Sequence, residues 1–432
     1  MIKTVSFRTL GCRLNHSESD SIQFELQSAG FTIVNNKTPA DLTIINSCAV
    51  TRQAEAKTRG AIAASRRISP QGKITVVGCY SQLSPTDLID MKGVDLVLGN
   101  SEKYRIRNYL GAIEKEQVEI HVGNVLEENT FPPIGVISKG DRTRAQLKVQ
   151  DGCDYKCSFC VIPLVRGRTR SRDFQACIDE TKMLVDHGYK EIVLSGINIG
   201  SYRTEAGQDF TDLVEGILEK TTIRRLRISS IEPDLISDRL ISIMRDEPRL
   251  CRHFHIPLQH GSNEMLGWMR RRYRIESYQE TVAKIADQIP DVCIGTDVLV
   301  GYPGETDEHF QEMTDVLQRL PIAYFHVFRF SFRPGTPASQ IISTVSPSVK
   351  KERSELLRKL SKSKKVHYVR GFSGKELSVL FEKKTKLGLY EGLSDNYITV
   401  NVKSKEPLIN RIIKIAITQV NGATAQGEIA RD

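Results

Sequence analysis

Three cysteines stand close together in Asp151-Gly-Cys153-Asp-Tyr-Lys-Cys157-Ser-Phe-Cys160. Their CxxxCxxC spacing puts three thiolates on one tight loop, directly after a strand pattern at Ala145–Gln150. Iron–sulfur clusters are normally held by four thiolates, and structural zinc also takes four ligands. Three ligands with no obvious fourth can hold one face of a metal cluster and leave a site open for a small molecule. On spacing alone, three of four zinc ligands or incidental thiols remain alternatives. A second trio is spread out. Cys12, Cys48 and Cys79 each follow a strand pattern, at Lys3–Thr9, Leu42–Asn46 and Lys73–Val77. In a parallel sheet those ends share one edge, where ligands bind, so the three thiols can converge there. Gly11 and Gly78 suit a backbone turning close to a bulky ligand. The bland alternative is three buried structural cysteines. Cys177, Cys251 and Cys293 lie inside expected elements and read as small apolar residues. His253 and His255 share a strand face, but with no third partner in view they read as core or surface groups.

The elements that must position these residues alternate strand and helix. Up to about residue 115, helices are expected at Ser17–Ala29 (Ser17 as cap), Arg52–Arg67, Ser84–Met91 and Glu102–Ile113, with a fourth strand at Val94–Leu98. This alternation predicts an α/β fold, an open parallel sheet covered by helices. A stretch at 121–142 with Phe131-Pro132-Pro133 and Gly135 reads as a linker. From Thr143 to Phe330 the alternation returns in six units: strands at Ala145–Gln150, Glu191–Ser195, Arg225–Ser230, His253–Gln259, Cys293–Val300 and Ala323–Phe330. Six units make a partial barrel, with chemistry at the C-terminal strand ends. The strand-end candidates include Gly196, Asn198, Glu232, Gln259, and Asp297 to Glu305 with Gly301. After a basic helix at Lys350–Arg370 come five short strands at Glu376–Phe381, Leu387–Tyr390, Tyr397–Val402, Ile412–Val420 and Ala425–Ile429. They predict a small OB-like β-barrel, a class that commonly binds oligonucleotides.

Composition narrows the partner. The 432 residues carry a formal charge of +9. Between Lys350 and Arg370 there are nine Lys/Arg and two Glu, which holds most of that excess. A basic helix leading into a small barrel points to nucleic acid rather than to a merely solvated face. Arg166, Arg168, Arg170 and Arg172 follow the cysteine loop at alternate positions, and Arg270, Arg271, Arg272 and Arg274 form another cluster. Both suit phosphate contacts or surface ion pairs. Nine cysteines without a secretory leader argue for a reducing compartment, hence a cytoplasmic protein. No apolar run reaches the ~18 residues of a membrane helix, so no membrane partner is expected.

Taken together, these blocks resemble the radical SAM methylthiotransferases over nearly the whole chain. Phe7-Arg-Thr-Leu-Gly-Cys12-Arg-Leu-Asn15, Asn46-Ser-Cys48-Ala-Val-Thr51 and Val77-Gly-Cys79 are similar to the family's N-terminal motifs. Gln150-Asp-Gly-Cys153 through Cys160-Val-Ile-Pro163, Arg166-Gly-Arg-Thr-Arg-Ser171, Val300-Gly-Tyr-Pro-Gly-Glu305 and Phe332-Arg-Pro-Gly-Thr336 match its later blocks. The resemblance implies a methylthiotransferase domain at 1–120, a linker at 121–142, a radical SAM domain at 143–349, a basic linker helix at 350–369 and a TRAM domain at 370–432. Leu194-Ser-Gly-Ile-Asn-Ile-Gly-Ser201 and Arg227-Ile-Ser-Ser-Ile-Glu-Pro233, with the arginine block, look most like the branch acting on threonylcarbamoyl-adenosine next to the tRNA anticodon. His260 departs from the family, which often has serine there.

What the resemblance implies is specific. Cys153, Cys157 and Cys160 hold a 4Fe–4S cluster whose open iron binds S-adenosylmethionine (SAM) and cleaves it to a 5′-deoxyadenosyl radical. Cys12, Cys48 and Cys79 hold a second 4Fe–4S cluster that carries the sulfur. One SAM supplies methyl and another supplies the radical that takes hydrogen from C2 of the adenine, a step beyond acid–base side chains. SAM contacts fall to Phe159, Gly196, Asn198, Glu232, Gln259, Asp297 and Gly301. RNA contacts fall to Arg166, Arg168, Arg170, Lys359, Lys362, Lys364 and Lys365. The partners are the anticodon stem-loop of tRNA, its target base unstacked, and an electron donor such as flavodoxin. No DNA partner is expected, and a monomer is expected. Other readings are the isopentenyl-adenosine branch, an aspartate of a ribosomal protein as target, and a non-catalytic iron–sulfur RNA-binding regulator.

Overall fold

A computed structural model describes residues 2–114, 117–132, 143–342 and 344–430. They form two compact units. Met1–Ser138, Gln150–Arg172 and Ser331–Gln340 make the first; Lys139–Val149, Asp173–Phe330 and Ile341–Asp432 make the second. The loop with Cys153, Cys157 and Cys160 packs in the same unit as the N-terminal sheet.

The first unit is built on six parallel strands, β1 (Thr4–Thr9), β2 (Thr32–Val34), β3 (Leu42–Ser47), β4 (Lys73–Gly78), β5 (Leu96–Leu98) and β6 (Glu119–His121), in the order β2-β1-β3-β4-β5-β6. Both faces are covered, so the central strands β3, β4 and β5 are buried almost throughout and largely apolar. Val5, Leu42, Ile44 and Val77 pack with Ile22 and Leu26 of the helix Arg13–Ser28; Ile45, Ile74 and Val76 pack with Ile62 of the helix Arg52–Ile68. Each such residue, fully buried, contributes about 1.5–3 kcal/mol. Thr51 caps the second helix by accepting from the Ala54 N–H at 3.1 Å, worth about 1 kcal/mol.

Several expected boundaries move. Ser17 is not a cap but a buried residue inside a helix that starts at Arg13, immediately after Cys12. Ser84–Met91 is replaced by two short helices, Cys79–Leu83 and Thr86–Ile89, and Glu102–Glu114 is wound as 3-10 helix. His121, placed in the linker from sequence, ends β6, and the Val125 carbonyl packs over Gly167. The rest of the expected linker, 133–142 with Pro133 and Gly135, lies outside the described residues.

The second unit carries six parallel strands, β7 (Arg144–Lys148), β8 (Glu191–Ser195), β9 (Arg225–Ile228), β10 (His253–His255), β11 (Cys293–Val300) and β12 (Tyr324–Arg329). They run as two three-stranded sheets joined by bridges from β9 to the β10 segment, Leu226 to Leu250 and Ser230 to His255, which makes the expected partial barrel. Alternate residues, Leu147, Ile192, Leu194, Leu226, Phe254, Ile294, Val298 and Phe325 among them, form one core with the surrounding helices. The other face lines the inside of the arc.

Five antiparallel or mixed strands, β13 (Glu376–Lys384), β14 (Tyr390–Ser394), β15 (Thr399–Val402), β16 (Ile412–Asn421) and β17 (Thr424–Ile429), close a small barrel in the order β13-β14-β15-β17-β16. The strand expected at Leu387–Tyr390 is instead a turn, closed by the Thr385 N–H donating to the Leu389 carbonyl at 2.7 Å, with the strand following it. The turn at Asp395-Asn396 plugs the lower end of the partial barrel: Arg227 donates to the Asp395 and Ser394 carbonyls at 2.9 and 3.0 Å, and Tyr397 stacks on His253 with ring centroids 4.1 Å apart. Among the described residues, no helix is long and apolar enough to cross a membrane.

Candidate functional site

Strands β1, β3 and β4 are neighbours in the sheet, so their C-terminal ends lie within about two strand spacings of each other, ~10 Å. Cys12, Cys48 and Cys79 stand at those ends. A side chain on Gly11, whose φ is +93°, would meet Cys48 Cβ at 2.6 Å and Sγ at 2.8 Å. Gly78, φ +98°, is as tightly placed against Asn46 and Ser47. Burial pushes the Cys48 thiol up to about 11; the neighbouring Cys79 and Cys12 add to the rise, while the Val50 N–H and Arg166 oppose it. The three sulfurs thus sense one another.

Polar residues of the same motifs fix this edge. Asn15 donates to the Leu10 and Ser47 carbonyls, both at 2.9 Å. Asn46 donates to the Asn15 carbonyl at 2.9 Å, and Ser47 donates to the Val77 carbonyl at 2.6 Å. Arg333, from the Phe332–Thr336 block, donates to the Ala49 carbonyl beside Cys48 at 3.1 Å and pairs with Glu55.

The second trio sits on a loop held by backbone bonds. Cys153 N–H donates to Gly167 at 3.0 Å, Cys160 N–H to Cys157 at 3.1 Å, and Ala338 N–H to Ser158 at 2.8 Å. Gly152, φ +70°, lies so close to the Arg168 carbonyl that a Cβ would be 1.8 Å from its oxygen. Cys157 is buried; Cys153 and Cys160 are half-buried. Both trios belong to the first unit, and Asn100 joins their surroundings: its Nδ2 donates to the Val165 carbonyl at 2.6 Å and lies 3.7 Å from Cys79 Sγ. Cys177, Cys251 and Cys293 are fully buried in the second unit. The first unit therefore holds these six cysteines and no seventh, three for each trio. That donor set fits an iron–sulfur cluster with one open iron and does not fit a closed four-thiolate zinc site.

Arg166 is a correction. Read from sequence as an RNA contact, it is 2% exposed. It bonds Glu18 at 2.6 Å, Asn15 at 2.8 Å and Asp151 at 3.2 Å. Lys103 and Tyr104 reach the same Glu18 carboxylate at 2.6 and 2.8 Å. No periodic signal marks Glu18, Lys103 or Asn100, because the contacts that draw them to the site, Glu18 with Lys103 and Tyr104 and Asn100 with Val165, span 85, 86 and 65 residues. Arg170 donates to the Arg166 carbonyl at 2.7 Å and faces Asp151 at 3.6 Å; Arg168 is exposed.

On the basic helix Pro347–Arg370, Lys359 and Lys362 are exposed. Lys364 and Lys365 are not available as expected. Lys364 donates to the Gln318 and Leu320 carbonyls at 3.0 and 2.9 Å, and burial lowers its pKa. Lys365 donates to the Tyr397 carbonyl at 3.0 Å and lies 5.0 Å over the Tyr324 ring.

Within the second unit, Gly196, Asn198, Glu232, Gln259 and Gly301 follow the C-terminal ends of their strands, as expected. Glu232 is paired with Arg271; burial raises its pKa and the guanidinium pulls the other way. Gly301 does not leave open backbone: a Cβ there would meet the Lys350 stem at 2.3 Å, so helix packing requires this glycine. Asp297 is inside β11, which runs to Val300, and pairs with His255 at 3.0 Å. His260 is fully buried near Glu305, and burial lowers its pKa.

The chain matches three family models: Uncharacterized protein family UPF0004 over residues 4–99, the radical SAM superfamily over 147–317 and the TRAM domain over 371–430. A threonylcarbamoyladenosine tRNA methylthiotransferase MtaB of Bacillus subtilis is 36% identical, covering 99% of this chain and 96% of the relative. One from Thermotoga maritima is 35% identical over 99% and 97%. A tRNA-2-methylthio-N(6)-dimethylallyladenosine synthase of Acetivibrio thermocellus is 32% identical over 99% and 91%. Among solved structures, the radical SAM methyltransferase TsrM of Kitasatospora setae, with cobalamin and a 4Fe–4S cluster bound, superposes with a TM-score of 0.59 at 16% identity, covering 78% of this chain and 74% of that one, a likeness of fold.

Proposed function

This chain belongs to the radical SAM tRNA methylthiotransferases, and on that basis we propose that it methylthiolates C2 of threonylcarbamoyl-adenosine next to the anticodon. As a member of that family it works with SAM and a 4Fe–4S cluster, for which Cys153, Cys157 and Cys160 are the proposed ligands. The observation that carries the proposal is the meeting of Cys12, Cys48 and Cys79 at one sheet edge, in the same unit as the second trio. They are the proposed ligands of an auxiliary 4Fe–4S cluster. Bound there, the two clusters and SAM supply the radical and sulfur-transfer chemistry that protein side chains lack.

The chain's own residues hold and orient. Gly11 and Gly78 keep Cβ atoms away from the sulfur edge. Arg166 and Asn15 fix the distance between the two cysteine neighbourhoods. Phe159, half-buried beside Cys160, is proposed to stack on the adenine of SAM. Gly196, Asn198, Gln259 and Glu232 are proposed to face the rest of SAM, with Arg271 keeping the Glu232 carboxylate in place. Arg168, Lys359 and Lys362, all exposed, are proposed to meet tRNA phosphates. The substrate branch is supported by the greater identity to the two MtaB relatives than to the dimethylallyladenosine synthase.

Nucleoside mass spectrometry of tRNA from a deletion strain tests this. Loss of 2-methylthio-threonylcarbamoyl-adenosine, restored by the intact gene, is expected. Unchanged levels overturn the proposal, and loss of the methylthio-isopentenyl nucleoside alone moves the chain to the other tRNA branch.

A further inference from the structure

On the inner face of the partial barrel stand two imidazoles and a carboxylate. His255 ends β10, Asp297 lies in β11 and His326 in β12. Register brings them together. His255 is paired with Gly295, two residues before Asp297, and Asp297 is paired with His326 across the next strand. Their alternate neighbours Phe254, Val298, Phe325 and Val327 go into the core with the helices, so these three side chains leave the sheet on the opposite face. One ligand atom from each lies within 4.8 Å of the other two.

The geometry points to a binding site for one divalent first-row transition metal, held by His255, Asp297 and His326. Two neutral imidazoles and a carboxylate are a frequent donor set for zinc and for non-haem iron(II), both of which keep open positions in such sites. His255 Nε2 and Asp297 Oδ1 are 3.0 Å apart, the separation of two ligands at right angles when each is about 2.1 Å from a common metal. His326 faces His255 with ring centroids 5.6 Å apart. Gly295, opposite His255, gives up its side-chain space to the Tyr324 ring, which packs beside both imidazoles at centroid distances of 6.1 and 5.4 Å. Three protein ligands leave room for water or an oxygen ligand to complete the shell. The inference does not rest on the tRNA substrate proposed above.

The test uses the full chain already carrying its iron–sulfur clusters. It is incubated with zinc, desalted, and its zinc and iron are measured by inductively coupled plasma mass spectrometry. About one zinc per chain, with iron unchanged, is expected for a single three-ligand site. His326→Ala changes an exposed side chain and should abolish retention while circular dichroism and iron content stay as in the parent. Asp297→Asn should weaken retention at least tenfold. No retained zinc, retention equal in His326→Ala, or zinc gained only as iron is lost overturns the site and leaves a plain His–Asp ion pair. None of those results bears on methylthiolation, which the nucleoside measurement reads separately.

Discussion

Arg166 and Glu18 meet as a buried ion pair, Nη1 to Oε1 at 2.6 Å, with both side chains shut off from solvent. Glu18 lies on the helix that starts after Cys12, and Arg166 follows the loop of Cys153, Cys157 and Cys160. With the Arg166–Asn15 and Asn100–Val165 hydrogen bonds, the pair ties the two cysteine neighbourhoods together. Such a pair adds little over an apolar replacement, but removing one partner leaves an uncompensated buried charge.

Glu18→Gln should therefore take the Glu18 carboxylate from two buried cations, Lys103 and Arg166, leaving Arg166 only its longer carboxylate contact, to Asp151 at 3.2 Å. A loss of about 3–5 kcal/mol is expected on breaking a buried pair, read as a lower denaturant midpoint. Iron content should fall at both trios. A midpoint within experimental error of the parent would contradict the assigned role.

Replacing Cys12, Cys48 and Cys79 together by alanine should lower iron from about eight to about four atoms per reconstituted chain, given four-iron clusters. SAM cleavage to 5′-deoxyadenosine should persist while methylthiolation is lost. Gly11→Ala should act in the same direction, because its Cβ would overlap Cys48 and its φ of +93° disfavours a side chain. Full iron in the triple variant would refute the auxiliary site.

The basic helix separates two kinds of lysine. Lys359→Ala with Lys362→Ala should weaken tRNA binding evenly across sequences and reduce the slope of log affinity against log salt by about 1.4–1.8, two phosphate contacts' worth. Stability should hardly change, since both are exposed. Lys365→Ala should instead destabilise the fold, because its ammonium joins Tyr397 and Tyr324. Thermal melts and salt-dependent binding together distinguish the two.

Glu191 supports the attachment of the small barrel. It holds Arg227 at 2.7 Å, and Arg225 and Arg227 donate to carbonyls of Leu393, Ser394 and Asp395. Burial works to raise its pKa, but Arg227, Arg144 and Arg225 outweigh it, so the carboxyl sits below its ordinary range. A depressed carboxylate stabilises the fold above the unfolded value of about 4.3 and ceases to do so as pH falls through the folded value. Denaturation midpoints should drop on acidification below about pH 4.3 in the parent. Glu191→Gln should start lower, by about 3 kcal/mol, and fall less steeply. Parallel pH profiles would count against this role.

The sequence by itself determined most of the strands and helices and the positions of the two sulfur trios, but not the short strands Thr32–Val34 and Glu119–His121. Strand ends, glycines and cysteine spacing are local patterns, and parallel pairing turns three strand-end cysteines into neighbours without further information. The order of the sheet, partial barrel and small barrel was legible for the same reason. Burial was not. Arg166 and Lys365 look like their exposed neighbours Arg168 and Lys362 in a string of residues, and only packing against Glu18 or Tyr397 makes them internal. His255 likewise had no partner until register across β11 and β12 supplied Asp297 and His326. Charge fate and ligand sets depend on side chains brought together from about 30 to about 150 positions away, and only the tertiary structure sets that distance.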